Sequence, residues 1–83
     1  MYHYVYILKT VEGYFNKTYV GYSTNVISRL KKHNSSKGAK ATRGYKWKLI
    51  YKKRFLLKSK ALSFEYYLKK DRKKRLSILK ELE

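Results

Sequence analysis

TYVGYSTNVISRLKKH, residues Thr18 to His33, is the stretch on which the reading of the fold turns. It starts as a strand, because Tyr19, Val20 and Tyr22 favour a pleated, half-buried surface, and it turns over at Ser23, Thr24 and Asn25, each able to cap a helix. From Asn25 to Asn34 the pattern is helical. At about 100° per residue, Val26, Ile27 and Leu30 gather into an apolar stripe, while Ser28, Lys31 and Lys32 point away from it. Arg29 and His33 are four residues apart and share a face at the edge of that stripe. The pair suits phosphate handling across the end of the strand that carries Tyr19. It suits equally an amphipathic helix whose Arg snorkels and whose His packs at the core margin.

Working outward, Tyr2 to Leu8 alternates aromatic and aliphatic residues without a breaker, which predicts a strand covered on both faces and, as the most apolar one, the central strand. Gly13 and Asn16 mark Thr10 to Lys17 as a hairpin loop that brings Tyr6 near Tyr19. Downstream, Ser35 to Gly44 is a run of small residues spaced by cations. Lys37, Lys40 and Arg43, the hydroxyl of Thr42, free backbone N–H groups and the neighbouring Lys32 suit phosphate oxygens; a flexible solvated connection is the other reading, since no Walker pattern is present. Trp47 to Leu57 reads as a third strand, basic on one side. Ser59 is a fair cap for a second helix carrying Ala61, Leu62, Phe64 and Leu68. Asp71 to Arg75 reads as a charged junction, and Leu76, Ile78, Leu79 and Leu82 as a short terminal helix.

The 83 residues suffice for one domain, 1–83, in a two-layer fold, with no deep enclosed cleft. Lys and Arg number 22 against five acids, a net charge of +17 that costs self-repulsion in the compact state and predicts a polyanionic partner. Nucleic acid is the expected partner, and no membrane span is expected because runs such as Tyr4 to Leu8 are too short. No signal-peptide pattern opens the chain, which predicts a cytoplasmic protein, free or nucleoid-associated. Without Cys, thiolate metal sites are excluded, and with His3 and His33 alone a zinc site built on histidines is not expected, so any metal is a hard ion held by carboxylate and water.

Glu65 is the sharpest anomaly. On the helical wheel it falls between Ala61 and Leu62, inside the apolar face, whereas the other acids occupy a turn, a helix end or the tail. An inward carboxylate has to be paired, protonated or metal-bound, and with this many cations a salt bridge answers as well as a metal. Ser or Thr nucleophile schemes lack a carboxylate to orient His33, and paired carboxylates are absent. What remains is one inward Glu, one Arg, one His and hairpin tyrosines. One carboxylate can hold one Mg²⁺ through waters, and Arg29 can add charge stabilisation at a phosphodiester. A phenol acts as the base only if nearby cations lower its pKa from about 10.

Tyr4-Val5-Tyr6, then Tyr19-Val20-Gly21, then Arg29 with His33 four residues later, then a helical Glu65, resemble the GIY-YIG nuclease superfamily, in particular its small single-domain branch, over about Tyr2 to Lys74. The resemblance implies an α+β fold, a three-stranded antiparallel sheet flanked by helices, and Mg²⁺- or Mn²⁺-dependent hydrolysis of phosphodiesters. Carried over by position, Tyr6 and Tyr19 are the motif tyrosines, one of them orienting or activating the attacking water. Arg29 binds the scissile phosphate, His33 supports the phosphate or relays a proton, and Glu65 holds the metal. Tyr4 stands where the first motif opens with Gly, Tyr22 where excision-repair relatives often carry Lys, and no Asn follows Glu65, so the resemblance implies a modest rate. The expectation is a DNA endonuclease, structure-selective as in repair or recombination. The alternative is a non-catalytic nucleic-acid-binding module, RNA-directed, that uses its tyrosines as stacking platforms.

Overall fold

Val5, Tyr6, Ile7 and Leu8 are all fully buried, which a strand achieves only when both of its faces are covered and both of its edges are paired. A computed structural model describes residues 1–81 and places this run in the middle of an antiparallel sheet ordered β2-β1-β3, with β1 at His3–Thr10, β2 at Thr18–Ser23 and β3 at Trp47–Phe55. With three helices on it, this is the expected α+β fold. β1 extends two residues past Leu8 because Thr10 pairs with Trp47 and also closes the hairpin. Its hydroxyl donates to the Phe15 carbonyl at 2.7 Å and accepts from the Lys17 N–H at 3.0 Å.

Alternation along the strands divides the core in two. Val5, Ile7 and Val20 face α2 (Lys58–Lys70) and α3 (Arg72–Glu81) and pack with Ala61, Leu68 and Ile78. Tyr6 and Leu8 face the other way and pack with Trp47 and with Val26 of α1 (Val26–Asn34). Each large apolar side chain so buried contributes about 1.5–3 kcal/mol.

The helices depart from expectation in detail. Asn25 is the residue that caps α1, its Oδ1 accepting from the Ser28 N–H at 3.0 Å. The inward face of that helix is Val26, Leu30 and His33, so Ile27 is 57% exposed rather than part of the stripe. α1 ends with the Lys37 N–H on the Lys32 carbonyl and the Ser36 N–H on the His33 carbonyl, the pattern that places Ser36 at φ 62° in the left-handed region. Ser59 lies inside the first turn of α2 and does not cap it, while Leu62 faces outward. Asp71 to Arg75 is no junction. Asp71 caps α3 by accepting from the Lys74 N–H at 3.0 Å, and the helix starts at Arg72. β3 stops at Phe55, leaving Leu56 and Leu57 exposed, and Leu82 lies outside the described residues. Among the described residues, no helix is long and apolar enough to cross a membrane.

Candidate active site

Tyr6 lies opposite Gly21 in the β1–β2 pairing, and Tyr19 lies opposite Leu8, so both tyrosines stand on the α1 face of the sheet. A Cβ at Gly21 would come within 2.4 Å of the Tyr6 ring and hydroxyl. Glycine there lets the Tyr6 ring lie flat over β2 and reach the end of α1. The Tyr6 hydroxyl then meets His33 Nε2 at 2.9 Å, both groups being fully buried. The Tyr19 ring packs against the same imidazole, 5.0 Å between centroids, and against Trp47 at 6.5 Å.

The far side of the imidazole decides its protonation. His33 Nδ1 lies 2.9 Å from Thr42 Oγ1, and Thr42 Oγ1 donates to the Ala39 carbonyl at 2.8 Å. A hydroxyl has one proton to give, and a carbonyl can only accept. Thr42 therefore spends its proton on Ala39 and must accept from His33, which puts the ring proton on Nδ1. Burial, with help from the Arg29 charge, pushes the imidazole below its ordinary 6.5, so the neutral ring presents a bare Nε2 that accepts from the Tyr6 O–H.

Tyr6 does not behave as the charge balance suggested. Burial pushes its phenol above the ordinary 10. Arg29 opposes that shift by hydrogen bonding and charge, Tyr19 and Glu65 add to it, and burial prevails. At neutral pH the phenol keeps its proton.

Arg29 on α1 and, more weakly, Glu65 on α2 both act on the Tyr6 charge. Arg29 Nε is buried and has no hydrogen-bond partner among the described residues, a donor left over in a nearly dry position. Glu65 is paired with Lys69 one helical turn on, Nζ to Oε2 at 3.3 Å, and the Lys69 ammonium stands 5.8 Å from the Tyr19 ring centroid. The salt bridge thus belongs to the same corner of the molecule. With the Lys69 side chain 49% exposed, such an i,i+4 pair contributes about 0.3–0.5 kcal/mol. Among the described residues, no group of three or more His, Asp or Glu side chains converges to hold a metal. A lone, partly exposed carboxylate tied so weakly does fit the habit of Mg²⁺, which keeps its waters and takes one or two carboxylates plus a phosphate.

Of the loop residues expected to meet phosphate, Lys37, Lys40 and Arg43 lie on the loop and Lys32 on α1; Lys32, Lys40 and Arg43 are exposed and Lys37 is also at the surface. Thr42 is not among them. It sits fully buried in a 3-10 turn, Lys40–Thr42, its hydroxyl engaged by His33 and Ala39 and its carbonyl by the Trp47 indole N–H at 3.0 Å. Gly38 allows the loop this approach, since a Cβ there would come within 2.5 Å of His33 Nδ1. The roles of Gly21 and Gly38 and the Thr42 contact are not apparent from the sequence; the only signal is the position of Gly21 inside the second tyrosine motif.

A family model described as the GIY-YIG catalytic domain matches residues 2–77. The UPF0213 protein SH2523 of Staphylococcus haemolyticus is 41% identical over 81 residues, which cover 95% of this chain and 95% of the relative. The UPF0213 protein BH0048 of Halalkalibacterium halodurans is 43% identical over 84 residues, covering 96% and 86%. The solution NMR structure of the UPF0213 protein BH0048 from Bacillus halodurans matches the fold with a TM-score of 0.54 at 40% identity, covering 96% of this chain and 84% of that one.

Proposed function

Because the chain belongs to the GIY-YIG catalytic-domain family, a nuclease family, we propose that it is a divalent-metal-dependent endonuclease that hydrolyses phosphodiester bonds in DNA. The observation that carries this reading is the hydrogen-bonded run from Tyr6 through His33 to Thr42, with an unpartnered buried Arg29 donor beside it. A buried N–H without an acceptor costs about 1–3 kcal/mol. A non-bridging phosphate oxygen is the acceptor that Arg29 lacks, and its charge is the one a guanidinium matches best.

Proton movement follows from the tautomer. Tyr6 is too poor an acid to wait as phenolate, so once substrate binding admits the attacking water to its buried hydroxyl, it takes a proton from that water as it passes its own to His33 Nε2. The proton lost by water thus ends on the imidazole, and the resulting cation is held by Thr42 at Nδ1 and lies against the Tyr19 ring. Arg29 stabilises the charge that grows on the phosphoryl oxygens. Glu65 is the residue that would hold Mg²⁺ or Mn²⁺, and the ion when bound would add Lewis-acid stabilisation at the same phosphate. Lys32, Lys37, Lys40 and Arg43 carry flanking phosphates.

A metal-titrated nicking assay on plasmid, branched DNA and RNA tests the proposal, with Arg29→Ala and Glu65→Gln as variants. The parent is expected to cleave DNA only when metal is added, and both variants to bind without cleaving. Cleavage that persists in both variants would retire the assignment. Binding by the parent without cleavage at any metal concentration would leave a nucleic-acid-binding module in its place.

A further inference from the structure

The other face of the sheet carries a cavity that this chemistry does not use. It has a volume of about 550 Å³ and lies between the hairpin end of the sheet and α3. Five cations line it, Lys9, Lys48, Arg72, Arg75 and Lys80, and among the described residues no acidic side chain does. Lys9 shares its face with Val5 and Ile7, so the cavity stands back to back with Tyr6 and Leu8 across the thickness of the sheet.

Like charges gathered in a concave, partly desolvated place repel more strongly than the same charges spread over a convex surface. The fold nonetheless holds one of them in place, because Arg75 is half-buried and donates from Nη1 to the Leu68 carbonyl at 3.3 Å. The remaining four are long enough to adjust. Ile50, Leu76 and Leu79 supply an apolar wall, and Asn16 and Thr18 supply neutral hydrogen-bonding groups. Cations, apolar surface and neutral polar groups side by side match a chain of phosphates joined by sugars and bases. Apolar surface beside the cations suits a strand whose bases are unpaired, because a duplex buries its bases in the stack.

We propose that this cavity is a second nucleic-acid site, which grips the phosphodiester backbone of a single strand on the face opposite Tyr6 and His33. It rests on the proposed function only in taking nucleic acid as the source of the phosphates. A nuclease with one strand held behind its sheet and another in front favours substrates in which duplex and single strand meet.

The test is an NMR titration of the ¹⁵N-labelled full chain with an oligothymidylate, without metal. The amides of Lys48, Ile50, Leu76 and Leu79 report this cavity, and those of Arg29 and His33 report the other face. Both sets are expected to shift. The double substitution Lys9→Ala with Arg72→Ala should abolish the shifts at Ile50 and Leu79, and lower the salt slope of log affinity by about 0.7 for each phosphate that is no longer neutralised. The matched substitutions Lys60→Ala and Lys73→Ala, which remove the same charge from exposed positions outside the cavity, should leave the cavity shifts in place. Shifts confined to Arg29 and His33 would overturn this inference and leave the proposed function standing. Shifts confined to the cavity would uphold this inference and leave the proposed function to the cleavage assay. If Lys60→Ala with Lys73→Ala removed the cavity shifts equally, net charge alone would explain the binding and the site would fall. Inorganic pyrophosphate that moves the cavity amides when the oligonucleotide does not would overturn nucleic acid as its ligand.

Discussion

Thr42→Val removes one oxygen and leaves nearly the same shape, yet it should disable the proton path from a position that touches no substrate. In the parent, Thr42 Oγ1 is the acceptor that holds the ring proton of His33 on Nδ1. Valine leaves that N–H buried and unpaired, at a cost of about 1–3 kcal/mol. The neutral imidazole can escape the cost by moving its proton to Nε2. There it faces the Tyr6 hydroxyl 2.9 Å away and can no longer accept from it. At about 1.4 kcal/mol per factor of ten, the productive tautomer and the single-turnover cleavage rate should fall by roughly 10- to 100-fold, with affinity for DNA unchanged. Thr42→Ser keeps the oxygen and should recover most of the rate. Imidazole ¹⁵N shifts of His33 separate the two tautomers directly and also show whether the variant is folded. A folded Thr42→Val protein that keeps its proton on Nδ1, or that cleaves at the parental rate, would refute the tautomer assignment.

Burial lowers the His33 pKa below its ordinary 6.5, and the relay needs the neutral ring, so the cleavage rate should be flat above pH 6.5 and decline with a midpoint under that value. A rate that rises on acidification would contradict it. By the same shift the folded state binds fewer protons than the unfolded one, so the stability contributed by His33 is present above pH 6.5 and is lost as the pH falls through the folded value; urea midpoints between pH 7 and 5 measure this. Gly21→Ala places a methyl 2.4 Å from the Tyr6 ring, which should cost about 1–3 kcal/mol in thermal unfolding and displace the hydroxyl from His33; an unchanged Tm would contradict the close approach. Ser36→Gly relieves the left-handed conformation at φ 62° that closes α1 and should stabilise the protein by about 0.5–1 kcal/mol, read as a higher denaturant midpoint without loss of cleavage.

The parts of this molecule that are legible in its sequence are those that local pattern controls. An unbroken apolar run from Val5 to Leu8 has to be central, and three capping residues after Tyr22 have to turn a strand into a helix. Hydropathy alone puts Ile27 in the stripe of α1. The helix instead turns a histidine inward, and His33 takes the buried place because Tyr6 and Thr42 satisfy both ring nitrogens. Thr42 itself is illegible. In a loop of lysines, glycines and serines a threonine looks solvated, and what buries it is an imidazole nine residues away, admitted by the missing side chain of Gly38. The start of α3 is hidden because a run of Arg and Lys masks the cap that Asp71 provides. The helical wheel turns Glu65 inward. It lies at the margin, 18% exposed, where Lys69 reaches it from the next turn, the salt bridge that so many cations make available.

The single-turnover cleavage rate of Tyr6→Phe at saturating DNA and metal, measured beside its DNA affinity, is the most direct trial of the proton path. Phenylalanine keeps the ring over Gly21 and deletes only the oxygen that meets His33. Cleavage should drop by about 10²- to 10⁴-fold while binding stays as it was. Parental cleavage by Tyr6→Phe would mean that the buried hydroxyl serves only packing, and that the phosphodiester is cut without it.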